Sequence, residues 1–138
     1  MSITTTVPEY LVHGFLDEQG STNFLSATSV SNAFAQEGVV LNYAIKTNTV
    51  ADLVVTATLT PFTKLGDENA TVGIESLSVG SELKVPDSGT YRLVDLISSN
   101  QGMRLYSYTL TVKANQNDVA VAANGNYEST LSISILQN

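Results

Sequence analysis

The chain has 138 residues, enough for one compact core, and 43% hydrophobic against 14% charged residues is too apolar a balance for intrinsic disorder. Six Lys and Arg against thirteen Asp and Glu, a formal net charge of −7, leave little to neutralise phosphates and argue against a nucleic-acid partner. Cysteine is absent, which removes disulfides, thiolate nucleophiles and sulfur-ligated metals.

The N-terminal Met1-Ser2-Ile3-Thr4-Thr5-Thr6 has neither the basic start nor the apolar run of a signal peptide. No stretch approaches the length of a membrane helix, so membrane insertion is not expected. A secreted protein would be met here in its mature form, whereas a native Met1 implies folding in the cytoplasm, and the sequence leaves both open. Ser, Thr and Asn supply 42 residues, the polar complement expected of β-structure with frequent turns.

In chain order, Ile3, Thr5 and Val7 alternate with polar neighbours ahead of Pro8. Phe24, Ala27, Val30 and Phe34 have roughly helical spacing but are interrupted by Ser, Thr and Asn, so 24–35 reads as loop or one short helical turn. Val39, Leu41, Tyr43 and Ile45 share one face of a strand after the Gln36-Glu37-Gly38 turn signal. Leu53, Val55, Ala57 and Leu59 face away from Thr56, Thr58 and Thr60, and Pro61 closes that run because it cannot donate a ladder hydrogen bond. Lys64 to Asn69 reads as a turn around Gly66-Asp67, followed by a short or bulged strand through Val72 and Ile74.

Pro86-Asp87-Ser88-Gly89 is a turn, since Pro fixes one backbone angle and Gly accepts the left-handed residue. Tyr91, Leu93 and Ile97 then oppose Arg92, Val94 and Leu96, which predicts a strand covered on both sides or one that changes face midway. After an Asn100-Gln101-Gly102 turn, Tyr106, Tyr108, Leu110 and Val112 alternate with Ser107, Thr109 and Thr111. Asn124-Gly125-Asn126 introduces Tyr127, Leu131, Ile133 and Ile135, alternating with polar residues to the C-terminus. Many short strands without a βαβ rhythm predict a single all-β antiparallel sandwich domain over 1–138.

Candidates for chemistry are few. His13 is the single histidine and lacks a second imidazole for a metal site, so it reads as a partly buried or surface residue near a strand end. Asp17-Glu18 and Asp67-Glu68 sit beside turn residues, where adjacent carboxylates diverge rather than face each other across a cleft. Asp67-Glu68-Asn69 lacks the spaced ligands of a calcium loop. Nucleotide, P-loop, zinc-protease and serine-hydrolase motifs are absent. Six tyrosines suggest sugar stacking, but Tyr43, Tyr91, Tyr106, Tyr108 and Tyr127 fall on apolar strand faces, and Trp is absent. No catalytic residue, cofactor or metal is therefore expected.

Assembly is the stronger signal. The run 129–136 alternates strictly and contains neither charge nor proline, so as a sheet edge it is open to strand addition. The alternating N-terminal segment lies outside the central pattern and is free to pair.

Three stretches resemble the cysteine-free pilin subunits of bacterial chaperone-usher fimbriae, of the colonisation-factor-antigen type and, more distantly, the capsular-antigen type. Ile3-Thr4-Thr5-Thr6-Val7 through Leu16-Asp17-Glu18-Gln19-Gly20 is similar to their N-terminal extension and the acidic turn beyond it. Tyr43 to Asn48 with Leu53 to Ala57 resembles their central hairpin, and Ala122 to Ile135 their C-terminal strand. The resemblance implies an immunoglobulin-like antiparallel β-sandwich lacking its final strand and completed by the N-terminal segment of a neighbouring subunit. Residues 1–8 would then be the donor arm, with Ile3, Thr5 and Val7 as donor positions and Leu131, Ile133 and Ile135 lining the acceptor groove. The implied partners are copies of the same chain, a periplasmic chaperone and an usher, and the implied location is an extracellular surface fimbria used in adhesion. Two alternatives stay open: a bacteriophage virion protein decorating a capsid or tail, and a carbohydrate-binding module.

Overall fold

A computed structural model describes residues 1–16, 24–25 and 33–137. Residues 1–10 form no strand or helix and are exposed throughout. The elements that follow are β1 (Leu11–Leu16), β2 (Phe24–Leu25), β3 (Val39–Thr47), β4 (Leu53–Leu59), β5 (Phe62–Lys64), β6 (Asp67–Val72), β7 (Ile74–Val79), β8 (Glu82–Lys84), β9 (Thr90–Leu96), β10 (Arg104–Ala114), the short helix α1 (Gln116–Ala120), β11 (Tyr127–Glu128) and β12 (Leu131–Gln137). They form a six-stranded sheet in the order β2-β1-β3-β10-β7-β8 and two three-stranded sheets, β12-β4-β9 and β11-β5-β6. Every strand pair is antiparallel among the described residues.

The protein is thus an all-β, sandwich-like fold, and alternation explains how it closes. Val39, Tyr43 and Ile45 on β3, Leu110 and Val112 on β10 and Leu77 on β7 are buried in one cluster with Val55 and Ala57 of β4 and Leu93 of β9. The inner face of the large sheet therefore packs on the inner face of the β12-β4-β9 sheet, each strand contributing every second residue. Leu131, Ile133 and Ile135 are half-buried and pack against the same cluster.

The strands depart from the sequence expectation at Gly73, in the C-terminal run and at Asp67-Glu68, while β9 takes one of its two expected forms, the change of face midway. Gly73 separates β6 and β7 into different sheets instead of bulging one strand: its N–H donates to Asp118 Oδ2 at 2.9 Å and its carbonyl accepts from Asn115 N–H, so α1 pins the crossing. In β9 the register slips between Val55 and Thr56 of β4, leaving Leu93 unpaired between Arg92 and Val94. Leu93 is buried and Val94 and Leu96 are half-buried beyond it, so the strand changes face, while Ile97 lies outside it and is 83% exposed. The C-terminal alternation is split, with Tyr127 on β11 beside β5 and only Leu131–Gln137 on β12. Asp67 and Glu68 begin β6 rather than filling a turn, and both are exposed. The 24–35 expectation falls mostly on residues outside those described, and Ala33 to Glu37 are turns and a bend.

Gly38 enters β3 with φ +78°, and a Cβ there would stand 2.4 Å from the Val112 carbonyl oxygen, so only glycine fits this turn. The short loop 48–52 joins β3 to β4 across the sandwich, and Arg104 braces it, donating to the carbonyls of Thr49, Gln101 and Gly102 and to the Tyr106 hydroxyl. At this end of the molecule lie the start of β1, the end of β3, the start of β4 and the end of β12.

Candidate assembly site

Two unpaired features meet at that braced end. The first is the segment 1–7, in which Ile3 is 89% and Val7 81% exposed, with Thr5 exposed between them. Pro8 interrupts backbone pairing because it has no N–H, so the segment does not continue β1. Its root is fixed by Asn48, whose side chain accepts from Tyr10 N–H at 2.6 Å and donates to the Pro8 carbonyl at 3.0 Å, while Asn48 N–H donates to the Tyr10 carbonyl. Gln137 Nε2 also donates to Glu9 Oε1, tying the root to the last residue of β12.

The second feature is the outer edge of β12. Its inner edge pairs with β4 in an unbroken register from Leu131 opposite Leu59 to Gln137 opposite Leu53, and no described strand pairs with its outer edge. Leu131, Ile133 and Ile135 turn toward the core, whereas Ser132, Ser134 and Leu136 are exposed. An edge of this kind presents a row of backbone donors and acceptors beside a half-buried apolar face. The structure therefore places the six positions singled out in the sequence on two features of one chain, joined at the root. It does not bring Ile3, Thr5 or Val7 against Leu131, Ile133 or Ile135 within one molecule.

The large sheet covers this flank with β1. There His13 is in mid-strand rather than at a strand end, and its Nδ1 shares a hydrogen bond of 2.8 Å with the Tyr43 hydroxyl. Burial lowers the His13 pKa and so favours the neutral imidazole. Burial, and next the neighbouring Tyr108, raise the Tyr43 phenol, which therefore stays protonated. This pair ties β1 to β3, whose residues it links directly.

The remaining candidates go elsewhere. No group of three or more His, Asp or Glu capable of holding a metal occurs among the described residues, and Asp17-Glu18 lies outside them. No helix among them is long and apolar enough to cross a membrane. Tyr43 is buried, Tyr91, Tyr106, Tyr108 and Tyr127 are half-buried, and Tyr106 and Tyr127 bond Arg104 and the Ala123 carbonyl. Sequence reasoning missed Asn48, Glu9 and Gln137. Asn48 stood only at the end of the hairpin stretch, and its partnership with residues some forty positions away has no local mark.

No protein-family model matches the chain, and no curated protein matches it in sequence.

Proposed function

We propose that this protein is a structural subunit that polymerises non-covalently, the segment 1–7 of one copy adding as a strand to the outer edge of β12 in the next. The observation that carries this is the coexistence in one chain of an unpaired, exposed arm of alternating sequence and an unblocked β edge of matching length. Neither can be satisfied internally in the open conformation, and each has what the other lacks.

An antiparallel addition, in keeping with every other strand pair of the fold, sets Val7 beside Leu131, Thr5 beside Ile133 and Ile3 beside Ile135. The alternating residues then close the groove over the apolar face. In this pairing the root of one copy meets the start of β12 of the next, which is the opposite end of that copy. The contact is head-to-tail and propagates as an open fibre rather than a closed dimer.

The strand order supports reading the fold as an immunoglobulin-like sandwich short of one strand. In that reading β1, β3, β10 and β7 correspond to strands A, B, E and D, and β4 and β12 to C and F, which leaves strand G, beside β12, to be supplied. With the sequence resemblance to chaperone-usher pilins, this favours a surface fimbria used in adhesion, whose subunits a periplasmic chaperone and an usher would handle before assembly.

The test is the native mass, by light scattering, of the full chain beside a chain lacking residues 1–8. A ladder of oligomers for the full chain and its loss on truncation are expected. The same monomer, or one closed oligomer, from both would overturn the proposal and favour a self-complete decoration or carbohydrate-binding module.

A further inference from the structure

The arm and the edge that it would complete in a neighbour also meet within one molecule, and their polarity differs in the two cases. β12 runs toward the braced end and finishes there at Gln137, and the arm is rooted at the same end through the Glu9 to Gln137 bond and the Asn48 clamp. An arm folding back along its own β12 therefore runs in the same direction as β12. It pairs in parallel, whereas a neighbour's arm is free to pair antiparallel.

We propose that the chain has a second, self-capped monomeric state in which residues 2–7 lie parallel against the outer edge of their own β12. Continuing the offset already set by Glu9 and Gln137 places Val7 beside Ile135, Thr5 beside Ile133 and Ile3 beside Leu131. Both polarities thus keep the same apolar residues over the same face and centre Thr5 on Ile133. Because side chains alternate with period two, neither arrangement turns the arm inside out.

Three further features support the cap. No linker is needed, since the root already touches the end of the edge strand, so the local concentration of the arm at its own edge is high. The arm is also long enough to run the length of β12, which has seven residues. Pro8 uncouples the arm from β1 and lets it turn without unravelling that strand. Parallel pairing is slightly weaker per residue than antiparallel pairing, so a neighbour's arm competes with the cap more effectively as the protein concentration rises toward the local concentration of the tethered arm. The capped monomer hides its edge until a second copy arrives. This inference uses the arm and edge of the assembly proposal but does not need the fibre to form.

Cysteine pairs separate the two polarities, because the chain has no cysteine of its own. Thr6→Cys with Ser134→Cys places the thiols side by side only in the parallel cap, and Thr6→Cys with Ser132→Cys only in the antiparallel contact. Ser132 and Ser134 are exposed, so the folded body should tolerate both changes, which circular dichroism checks. Oxidising the first pair in dilute solution with an added disulfide oxidant is expected to close a bond within single chains. It should also stop oligomer growth until a reductant is added. Oxidising the second is expected to give a covalent ladder.

If the first pair stays reduced, or links only separate chains, the self-cap is overturned. A ladder from the second pair in that case leaves the assembly proposal standing. An intrachain bond from the first pair, with no ladder from the second and no oligomers of the unaltered chain, upholds the cap and overturns the fibre.

Discussion

The small β12-β4-β9 sheet has two outer edges, and they are built in opposite ways. On β9, Arg92 and Asp95 form a paired contact of 2.9 and 3.0 Å, and the extra residue at Leu93 breaks the register. β8 lies alongside with a Lys84 to Glu82 ion pair, and a cleft lined by all four charged residues separates the two strands. Charges and bulges are the ordinary means of keeping an edge from recruiting another chain. On β12, from Leu131 to Gln137, there is no charge, no proline and no break in register. Openness is therefore a local property written into one strand, since the same sheet guards its other side.

The comparison breaks most severely at Ile133. Opposite Ala57 and packed against the core, it would become an uncompensated charge in Ile133→Asp, with a loss of at least ~2 kcal/mol from apolar burial alone. Urea unfolding should show the lower midpoint and light scattering the loss of oligomers. A wild-type midpoint with a normal ladder would remove β12 from the account. A milder change moves the guarding device across the sheet. Ser132→Lys with Ser134→Lys puts charge on the exposed face of β12 and should alter stability by less than about 0.5 kcal/mol while abolishing the ladder. Unchanged oligomers would show that charge on this edge does not control addition.

The reverse exchange has a smaller expected effect. Arg92→Ser with Asp95→Ser removes an exposed ion pair that contributes little to stability, and should add weak, concentration-dependent association through β9. Sedimentation at rising concentration reads this. If the variant stays as wild type, the register break at Leu93 and the adjacent β8 are enough to guard that edge without charge.

How much of this was legible in the sequence follows from the range of the interactions. The alternation on β3, β4, β10 and β12 was legible because a half-buried strand writes its face at every second residue. The change of face in β9 appeared as apolar residues on both sides of the alternation, though the slip at Leu93 that causes it depends on β4. The split at Gly73 was not legible, because it is imposed by Asn115 and Asp118, more than forty residues on. The arm and edge were legible as separate unsatisfied patterns. Their common root was not, since the bond between Glu9 and Gln137 spans 128 positions. The polarity of the arm along its own edge follows from the fold, which puts both ends of the chain in one place.

The finest distinction between the two flanks is their response to acid. On the open flank, the hydrogen bond between Tyr43 and neutral His13 holds β1 beside the root of the arm, whereas the guarded flank is held by the Arg92 to Asp95 contact, which contains no histidine. Because burial depresses the His13 pKa, the unfolded chain binds more protons between the folded value and the ordinary 6.5. The His13 contribution is therefore complete above pH ~6.5 and is lost as pH falls through that value toward the folded one. Urea midpoints between pH 7.5 and 5 should fall for the wild type and fall less for His13→Gln, and Tyr43→Phe should lose about 1 kcal/mol at neutral pH with its hydrogen bond. Hydrogen exchange should place the acid-sensitive loss of protection in β1 ahead of β7 and β8. Equal slopes for wild type and His13→Gln would mean that the open flank is held by packing alone and that His13 does not set its response to acid.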